Sequence, residues 1–395
     1  MNKAYKYRLY PNSSQQEYFS GCFAAARFIW NKMLYDRMEY YKETGKSKTI
    51  TPACYKAENP WLKKADSLAL ANVQLDLDRA YRAFFVVGSH RYTNKTIAKA
   101  RRQGRELSFY DLEKHPKFKS KKDDTWRSYT TNNQNGTVAI IDKHIRLPKI
   151  GLVRCKVHRM IPDGCTIKPA TISQNSTGKY YVSVLVECDS SAVSVAPESA
   201  IGLDFSMREL YVDNEGRCPE FRRYFRASEE KLSREQRRLS GMVKGSNNYY
   251  KQKTKIAKVH EKITNQRKDF LHKESDSITK GHDVVCVEDL DMKAMAQALN
   301  FGKSVSDNGW GMFTRFIEYK QEWRGHHFVK VERLFPSSKL CHVCGWKNDE
   351  LTLSDREWDC KQCGTHHLRD QNAAINIMDR GLEILSARLA VQKAI

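Results

Sequence analysis

The first part of the chain alternates between strand-like and helix-like spacing of apolar residues. Apolar side chains at every second position from Tyr5 to Leu9 predict a strand, which Pro11 ends. Apolar residues three or four positions apart then predict one helix over residues 19–41 and a second over residues 68–85. Residues 90–135 are polar, basic and weakly periodic, and we expect their Thr- and Asn-rich end, residues 130–136, to be a loop.

From residue 138 to residue 188 the apolar residues form short runs separated by Gly and Pro. This pattern is typical of a small antiparallel barrel or sandwich. The predicted strands are Val138–Ile141, Ile145–Leu147, Val153–Val157, Thr171–Gln174 and Tyr180–Cys188. Residues 189–199 are rich in Ser and Ala, which is the composition of a linker.

The second half of the chain mixes strands and helices. Residues 200–205 and 209–213 are predicted to be paired strands, followed by a helical hairpin with Ser228 as its N-cap and a break at residues 245–248. Further strands are expected at residues 284–287 and 328–331, with a helix at 310–323 between them. A last helix begins near Asp370. The chain as a whole is therefore expected to be an α/β multidomain protein.

The charge of the chain indicates a polyanionic partner. The formal net charge is +22 and the sequence pI is about 9.5. The excess is local, because residues 90–122 carry eleven Lys or Arg against three acids and residues 222–280 carry seventeen against seven. We favour nucleic acid over an anionic membrane surface. Tyr5, Tyr7 and Trp126 are candidates for stacking on bases, although core packing also explains them. The strongest candidates for phosphate contacts are Lys117, Lys119, Lys121 and Lys122.

Nothing in the sequence predicts a membrane segment. The longest apolar runs are far shorter than the roughly 18 residues that a membrane helix needs. No apolar segment follows the lysines of the amino terminus, so a secretory signal peptide is not expected. We therefore expect a cytoplasmic protein without a membrane partner.

Four of the eleven cysteines have the spacing of a zinc site. Two CxxC pairs are separated by fifteen residues, which is a zinc-ribbon spacing. Four thiolates fill a tetrahedral shell, so the Zn²⁺ site would be structural and closed to substrate. His342, His366 and His367 are alternative ligands. The other cysteines follow no pattern, and we do not expect disulfides. The predicted ligands are Cys341, Cys344, Cys360 and Cys363.

Three acids stand at the ends of apolar elements. Asp204 follows residues 201–203, Glu288 follows residues 284–287, and Asp370 begins the last helix. Carboxylates that converge from such positions repel one another unless cations lie between them, and hard oxygen ligands select Mg²⁺ or Mn²⁺. Two such ions about 4 Å apart would serve phosphodiester hydrolysis. Each acid alone also has a simpler explanation, as a turn cap, a solvated charge or a helix N-cap.

Five motifs, in order, resemble a known family. IGLDFSMRELYVDNEG, VVCVEDL and HHLRDQNAAINI resemble the three acidic motifs of TnpB, the RNA-guided RuvC-like nuclease of insertion-sequence transposons, and of the related miniature type V CRISPR effectors. KVHEKITNQRKDFLHKES resembles the signature helix of that family, and PSSKLCHVCG with CKQCG resembles its zinc ribbon. YKYRLYPN, RFIWNKML and HPKFKSKK resemble its amino-terminal part. The resemblance thus extends over nearly the whole chain.

The resemblance implies a domain layout and a metal site. It assigns Asp204, Glu288 and Asp370 to a catalytic site with two Mg²⁺ ions in an RNase H-like (RuvC) core, and the four cysteines to structural zinc. The implied domains are a wedge β-barrel at residues 1–10 and 120–190, a helical recognition domain at 11–119, a linker at 191–199, the nuclease domain at 200–338 and 368–395, and the zinc ribbon at 339–367.

The resemblance also implies a function. A guide RNA transcribed from the transposon end would direct cleavage of a double-stranded DNA target beside a short adjacent motif, in a prokaryotic cytoplasm near the nucleoid. The number of protein copies on each RNA stays open. A miniature CRISPR effector, an unguided transposase or resolvase, and a catalytically silent zinc-containing regulator are the alternatives.

Two positions depart from the family pattern. The third acidic motif commonly has His-Asp-Arg-Asp, whereas this chain has Leu368 in place of the first Asp. Lys339 stands where a neutral polar residue is common. Neither change removes a carboxylate ligand. The departure at Leu368 leaves open how substrate is positioned near Arg369, which is a further candidate for nucleic-acid binding.

Overall fold

The computed structural model describes residues 1–86, 91–121, 123, 126–188, 196–292, 294–295, 307–352 and 354–393. The chain forms two compact units, Met1–Ser190 and Ser191–Ile395. Within the described ranges, no helix combines the length and the apolar composition that crossing a membrane requires. Lys122 and residues 189–195, which are the first part of the predicted linker, lie outside the described residues.

An antiparallel seven-stranded sheet is the centre of the first unit. Its order is β2-β6-β7-β1-β5-β4-β3, so the amino-terminal strand lies in the middle. Tyr5, Tyr7 and Leu9 of β1 are buried and the residues between them are more exposed, which confirms the predicted period of two. The strands are β1 (Asn2–Leu9), β2 (Ser128–Asn132), β3 (Ala139–Ile141), β4 (His144–Leu147), β5 (Gly151–Lys156), β6 (Cys165–Gln174) and β7 (Tyr180–Cys188).

Two long helices, α1 (Ser13–Thr44) and α2 (Ser67–Val86), share one hydrophobic core with this sheet, and a short helix, α3 (Asn94–Arg102), follows them. Asn12 begins α1 through a capping box with Gln15, and Gly45 ends it with a φ of 68°. The ring of Phe19 on α1 contacts Tyr129 and Tyr180 of the sheet. Both long helices predicted from the apolar spacing are thus confirmed.

The predicted loop at residues 130–136 is wrong at its start, because residues 130–132 belong to β2. Tertiary contacts satisfy the polar side chains of this strand. The hydroxyl of Thr130 pairs with that of Thr171 at 2.9 Å, and the hydroxyl of Thr131 donates to the carboxylate of Asp66. The local sequence alone shows only a run of polar residues. These residues form a strand because the fold provides hydrogen-bond partners for their side chains.

The expectation that the chain has no disulfide is also wrong. Cys165 and Cys188 stand directly opposite each other in the β6–β7 ladder and form a disulfide. The antiparallel register, which the cysteine spacing does not encode, brings them together.

A four-stranded sheet with the order β11-β10-β8-β9 is the centre of the second unit. Strands β8 (Ala200–Ser206), β10 (Val284–Glu288) and β11 (His327–Val331) are parallel, and β9 (Leu210–Asp213) is an antiparallel edge. These strands confirm the predicted ones. The helices are α4 (Arg226–Ser240), α5 (Asn247–Gly281), α6 (Trp310–Arg324) and α7 (Arg369–Lys393), and a ribbon with β12 (Glu357–Asp359) and β13 (His366–Leu368) precedes α7.

The helical hairpin begins earlier than predicted. α4 starts at Arg226, so Ser228 is inside the helix and does not cap it. The carboxylate of Asp307 instead accepts hydrogen bonds from the backbone N–H groups of Phe225 at 2.9 Å and Arg226 at 3.4 Å. A carboxylate at this end also complements the helix dipole.

The two faces of the second sheet pack against different helices. Ile201, Leu203, Val285 and Val287 are in one core cluster with residues of α5 and α6. The alternate residues Val284, Cys286 and Val329 are in another cluster with Ile377 and Leu385 of α7. The period of two along each strand therefore sends alternate residues toward α7.

Two glycines allow α7 to approach the sheet closely. A Cβ atom on Gly202 would lie 2.0 Å from the carbonyl oxygen of Ala374, which is too close for any real contact. A Cβ atom on Gly381 would lie 2.3 Å from Sγ of Cys286. The glycines are on opposite partners, one on β8 and one on α7, so the contact fixes the helix at two points.

We predict that Gly202→Ala lowers the free energy of unfolding by about 3 kcal/mol or more, because a backbone carbonyl cannot move as a side chain would. Urea unfolding of the full chain measures the change. Gly311→Ala is the control, because Gly311, in the first turn of α6, has open space where the added Cβ would lie. An equal loss in both variants would contradict the close contact.

Candidate functional site

The register of β8 and β10 places two of the predicted acids side by side. Leu203 pairs with Val287, so Asp204 and Glu288 are the next residues along neighbouring parallel strands. Strands in a sheet are roughly 4.8 Å apart. Asp204 is two residues after Gly202, and Glu288 is two residues after Cys286, so both acids point to the α7 side of the sheet.

The contact with α7 brings the third acid to the same place. Asp370 is in the first turn of α7, one helical turn before Ala374, which contacts Gly202. All three acids are partly exposed. Burial, followed by the charges of Asp370 and Glu288, raises the pKa of Asp204 well above its ordinary value, and the guanidinium of Arg369 opposes this. The carboxylates of Asp370 and Glu288 therefore both lie within electrostatic reach of Asp204.

The other two acids differ in their surroundings. Burial raises the pKa of Glu288 to about 7. Asp370 instead has cationic partners: Arg369 contacts its Oδ1 from Nε at 3.0 Å and from Nη2 at 2.9 Å, and Arg356 lies 3.4 Å from its Oδ2. Arg369 also donates to the carbonyl of Asp355 at 3.0 Å. Arg369, predicted as a nucleic-acid contact, is thus part of the carboxylate site, and Arg356 is an addition that the sequence did not single out.

The four predicted cysteines form a compact cluster. In the described part of the chain, they are the one group of His, Cys, Asp or Glu side chains whose ligand atoms all lie within 4.8 Å of one another and could hold a metal ion. The Sγ atoms of Cys341 and Cys363 are 3.6 Å apart, as are those of Cys344 and Cys360. A tetrahedral shell with Zn–S bonds of 2.3 Å has edges of about 3.8 Å, so the donor set and its size fit zinc.

The cysteine thiols differ in their surroundings, and the alternative histidine ligands have contacts of their own. Burial raises the pKa of Cys341. Hydrogen bonds from the hydroxyl and the backbone of Thr365 lower the pKa of Cys363 to about 6. Nε2 of His367 lies 3.1 Å from Sγ of Cys341. His342 contacts Asn372, and His366 contacts Asp359. Each histidine considered as a ligand therefore has another role in this arrangement.

Two asparagines join the cysteine ribbon to α7. Oδ1 of Asn372 accepts from the backbone N–H of His342 at 3.1 Å, and its Nδ2 donates to the carbonyl of Leu340 at 2.7 Å. Nδ2 of Asn376 donates to the carbonyls of Ser337 and Leu340, both at 2.8 Å. The first cysteine knuckle is thus attached to the helix that begins with Asp370. The signal in the sequence was two asparagines four residues apart in an apolar helix.

The predicted basic contacts have different surroundings. Nζ of Lys117 donates to the carbonyl of Tyr110 at 2.6 Å, so this ammonium holds a loop. Nζ of Lys119 lies 3.8 Å from the ring centre of Trp30 and 4.7 Å from that of Trp126, and burial lowers its pKa to about 8. Lys121 is exposed. Tyr5 and Tyr7 are buried in the core, whereas Trp126 is 37% exposed.

The sequence matches three family models. Residues 183–299 match the OrfB_IS605 model, described as "Probable transposase". Residues 310–377 match the Cas12f1-like TNB domain, and residues 1–46 match the helix-turn-helix domain of OrfB_IS605. In the structure these first 46 residues form a strand and a single long helix.

Similar proteins match along almost their whole length. A protein of Streptomyces pristinaespiralis named "Putative RNA-guided DNA endonuclease" is 30% identical over 395 residues, which is 97% of this chain and 90% of that protein. InsQ of Escherichia coli K12, which has the same description, is 29% identical over 412 residues. The match covers 99% of this chain and 95% of InsQ. The fold resembles that of the protein in the solved Cas12f1–sgRNA–target DNA complex, with a TM-score of 0.51 and 13% identity. The match covers 95% of this chain and 98% of that one.

The fold and the site define an α/β protein with a carboxylate centre beside a four-cysteine ribbon. The chain belongs to the TnpB family, the OrfB proteins of IS605-type transposons. The resemblance stated from the five sequence motifs is thereby confirmed.

We predict that the purified protein carries one zinc ion per chain and that Cys360→Ser removes it, because the three remaining thiolates leave the shell incomplete. Elemental analysis of the purified chains measures the content. Cys218→Ser, at an exposed free cysteine, is the control and keeps its zinc. Full zinc content in the Cys360→Ser protein would argue against the four-cysteine shell.

We predict that Asp204→Asn raises the thermal midpoint of the protein in EDTA at pH 8 by several degrees. A carboxyl group with a raised pKa costs folding free energy once the pH exceeds its ordinary pKa, because the unfolded chain ionises more readily. The difference should disappear near pH 3, where both states are protonated. Differential scanning calorimetry measures it.

Asp213→Asn on the neighbouring strand β9 is the control and should lower the midpoint. Asp213 accepts hydrogen bonds from the backbone N–H groups of Glu215 and Arg217 at 2.9 and 2.8 Å and is paired with the Arg217 guanidinium. A midpoint for Asp204→Asn below that of the unmodified protein would contradict the proposed charge repulsion.

Proposed function

We propose that this protein is an RNA-guided DNA endonuclease whose RuvC-like catalytic site consists of Asp204, Glu288 and Asp370. The observation that carries this proposal is the convergence of three acids from three separate elements on the α7 side of the sheet, where the charges of Asp370 and Glu288 both act on Asp204. Proteins keep such like charges together where cations or substrate compensate them. Membership of a family with relatives named as RNA-guided DNA endonucleases agrees with it.

The three carboxylates fit hard divalent cations such as Mg²⁺, of which we propose two. When bound, such ions neutralise the scissile phosphate, lower the pKa of a water nucleophile and stabilise the leaving oxygen. The protein supplies a rigid arrangement: two carboxylates stand on adjacent strands, and Asp370 is held by the first turn of α7. Arg369 and Arg356 balance the charge of Asp370.

A basic and aromatic face of the first unit is a candidate surface for the nucleic acid. We call it the outer sheet face; it consists of the residues of β1, β5 and β7 that alternate with the buried ones, together with Tyr10. The guanidinium of Arg8 lies 5.5 Å from the ring centre of Tyr10 and 5.2 Å from that of Tyr181. Arg154 lies 5.9 Å from Tyr10. Interleaved cations and rings suit a nucleic-acid backbone and its bases.

A second basic surface is on the hairpin of α4 and α5. A groove of about 410 Å³ between these helices is lined by four lysines together with Ser228, Glu235 and Val259. Phosphate contacts from such a surface release counterions, so affinity for nucleic acid would fall steeply with salt. The lysines are Lys231, Lys255, Lys258 and Lys262.

In this proposal the guide RNA and the protein have different tasks. Base pairing between guide and target supplies the sequence specificity, and the protein binds backbone and shape. The guide from the transposon end, the double-stranded DNA target, the adjacent motif and the domain boundaries given above are parts of this proposal. Zinc would hold the ribbon, and so the first turn of α7, without touching substrate.

We predict that Asp204→Ala, Glu288→Ala and Asp370→Ala each abolish Mg²⁺-dependent cleavage of DNA and leave bound RNA in place. Each change removes a metal ligand but no part of the basic surfaces. A cleavage assay with sequenced, co-purified RNA as the guide source measures both properties in one preparation.

Asp289→Ala is the matched control. Asp289 is next to Glu288 but pairs with Arg333 at 3.0 Å on the surface, so its loss should leave cleavage intact. Full cleavage by the Asp204→Ala protein would refute the catalytic assignment. If no discrete RNA co-purifies while the carboxylates remain essential, an unguided DNA-processing enzyme would replace the guided one.

A further inference from the structure

A cavity in the first unit has no role in the site described above. It lies between α1, α2 and the short 3₁₀ segment at residues 109–111, and its volume is about 380 Å³. Cavities that hold small organic ligands in proteins range from about 300 to 1,000 Å³. The residues that matter most for its chemistry are Arg37, Tyr41, Tyr81, Phe85, Phe109 and His115.

Two buried polar side chains of this cavity have nitrogen atoms without a hydrogen-bond partner among the described residues. They are Nε of Arg37 and Nε2 of His115. The Arg37 side chain is 11% exposed, and His115 is 3% exposed. Nδ1 of His115 is already 2.9 Å from the carbonyl of Pro116. Buried polar atoms in native proteins are almost always paired with protein, water or a ligand, so this cavity is prepared for a polar partner.

Flat aromatic surfaces stand at the mouth of the cavity. Tyr41 is 48% exposed, Phe109 is 39% exposed, and their rings lie at 22° to each other with centres 6.4 Å apart. Phe85, 62% exposed, lies at 17° to Tyr81 with centres 6.3 Å apart. Exposed rings of this kind are costly in water and favour a planar, aromatic ligand that stacks on them.

The charged residues of the cavity decide which planar ligand fits. Nη2 of Arg37 lies 2.7 Å from Oδ1 of Asp78, so the acid is neutralised inside the cavity. Lys48 and Arg82 are both exposed and line the cavity, and neither has a carboxylate partner among the described residues. The ammonium of Lys48 lies 5.1 Å from the ring centre of Tyr40. A planar ring with a negatively charged group attached would stack on the exposed aromatic side chains and place its charge near these two cations. A nucleotide has that combination of planar base and phosphate.

We infer that this cavity binds one unstacked nucleobase of a single-stranded nucleic acid, with the base against Tyr41 and Phe109 and the adjoining phosphate near Lys48 and Arg82. The edge of the base would satisfy the buried nitrogens of Arg37 and His115. This inference rests on the proposed nucleic-acid binding but needs no cleavage. The strand can come from RNA or from DNA, since both offer the same base and phosphate.

Binding of fluorescent 20-nucleotide single strands to the full-length protein tests this inference. Oligouridylate RNA and oligothymidylate DNA are measured in parallel by anisotropy at fixed salt. We expect Tyr41→Ala to weaken binding about tenfold, since one base–aromatic stack contributes roughly 1–3 kcal/mol. Tyr41→Phe keeps the ring and should bind as the unmodified protein does. The strand affected, RNA or DNA, identifies the source of the base.

Tyr35→Ala is the matched control, because Tyr35 is on the same helix, is 50% exposed and does not line the cavity. A blunt duplex of the same length has no free base, so Tyr41→Ala should leave its binding unchanged. Ultraviolet crosslinking of the co-purified RNA gives a second measurement, with a nucleotide adduct expected on the peptide of Tyr41 or Phe109 if the source is RNA.

The outcomes separate this inference from the proposed function. Equal effects of Tyr41→Ala and Tyr35→Ala, in a protein that still binds the strands, would overturn the nucleobase site and leave the nuclease proposal standing. A protein that binds neither strand and carries no RNA would overturn both. A weaker Tyr41→Ala variant whose duplex binding is weakened equally would show loss of fold and would also count against the base site.

Discussion

The packing of α7 against β8 and β10 is the interaction on which the carboxylate site depends. Gly202 and Gly381 leave no room for a side chain, so the helix backbone lies directly on the strands. Asp204 and Glu288 follow two residues after Gly202 and Cys286, the positions where the two strands contact α7. Asp370 precedes Ala374, the residue of α7 that contacts Gly202, by one helical turn. The distance between helix and sheet therefore also sets the spacing of the three acids.

The site works against the stability of the metal-free fold. The pKa of Asp204 rises because burial and two neighbouring carboxylates disfavour its charge, and burial alone raises that of Glu288. Groups outside the sheet offset this electrostatic cost. Arg369 and Arg356 contact Asp370, and the four-cysteine ribbon is attached to α7 through Asn372 and Asn376. A metal ion bound in the ribbon would in this way support the carboxylate site without touching it.

Elements with strong local periodicity were predicted correctly, and those that depend on distant partners were not. The spacing of apolar residues gave α1, α2 and the buried strand β10. It did not give β2, whose threonines find partners in Asp66 and Thr171, or the cap of α4, which comes from Asp307. The Cys165–Cys188 disulfide depends on the register of β6 and β7. Lys117 and Lys119, predicted to contact phosphate, have carbonyl and indole neighbours within the fold that the sequence did not indicate.

The sequence by itself determined the classes of residue and their order: the two CxxC pairs, three acids at the ends of apolar elements and the motifs of the family. It could do so because metal ligands and core residues are restricted in chemical type. Only the tertiary structure decided which groups meet. The parallel register places Asp204 beside Glu288, and two glycines bring in Asp370. Contacts between residues far apart in the chain depend on packing geometry, which local patterns do not contain.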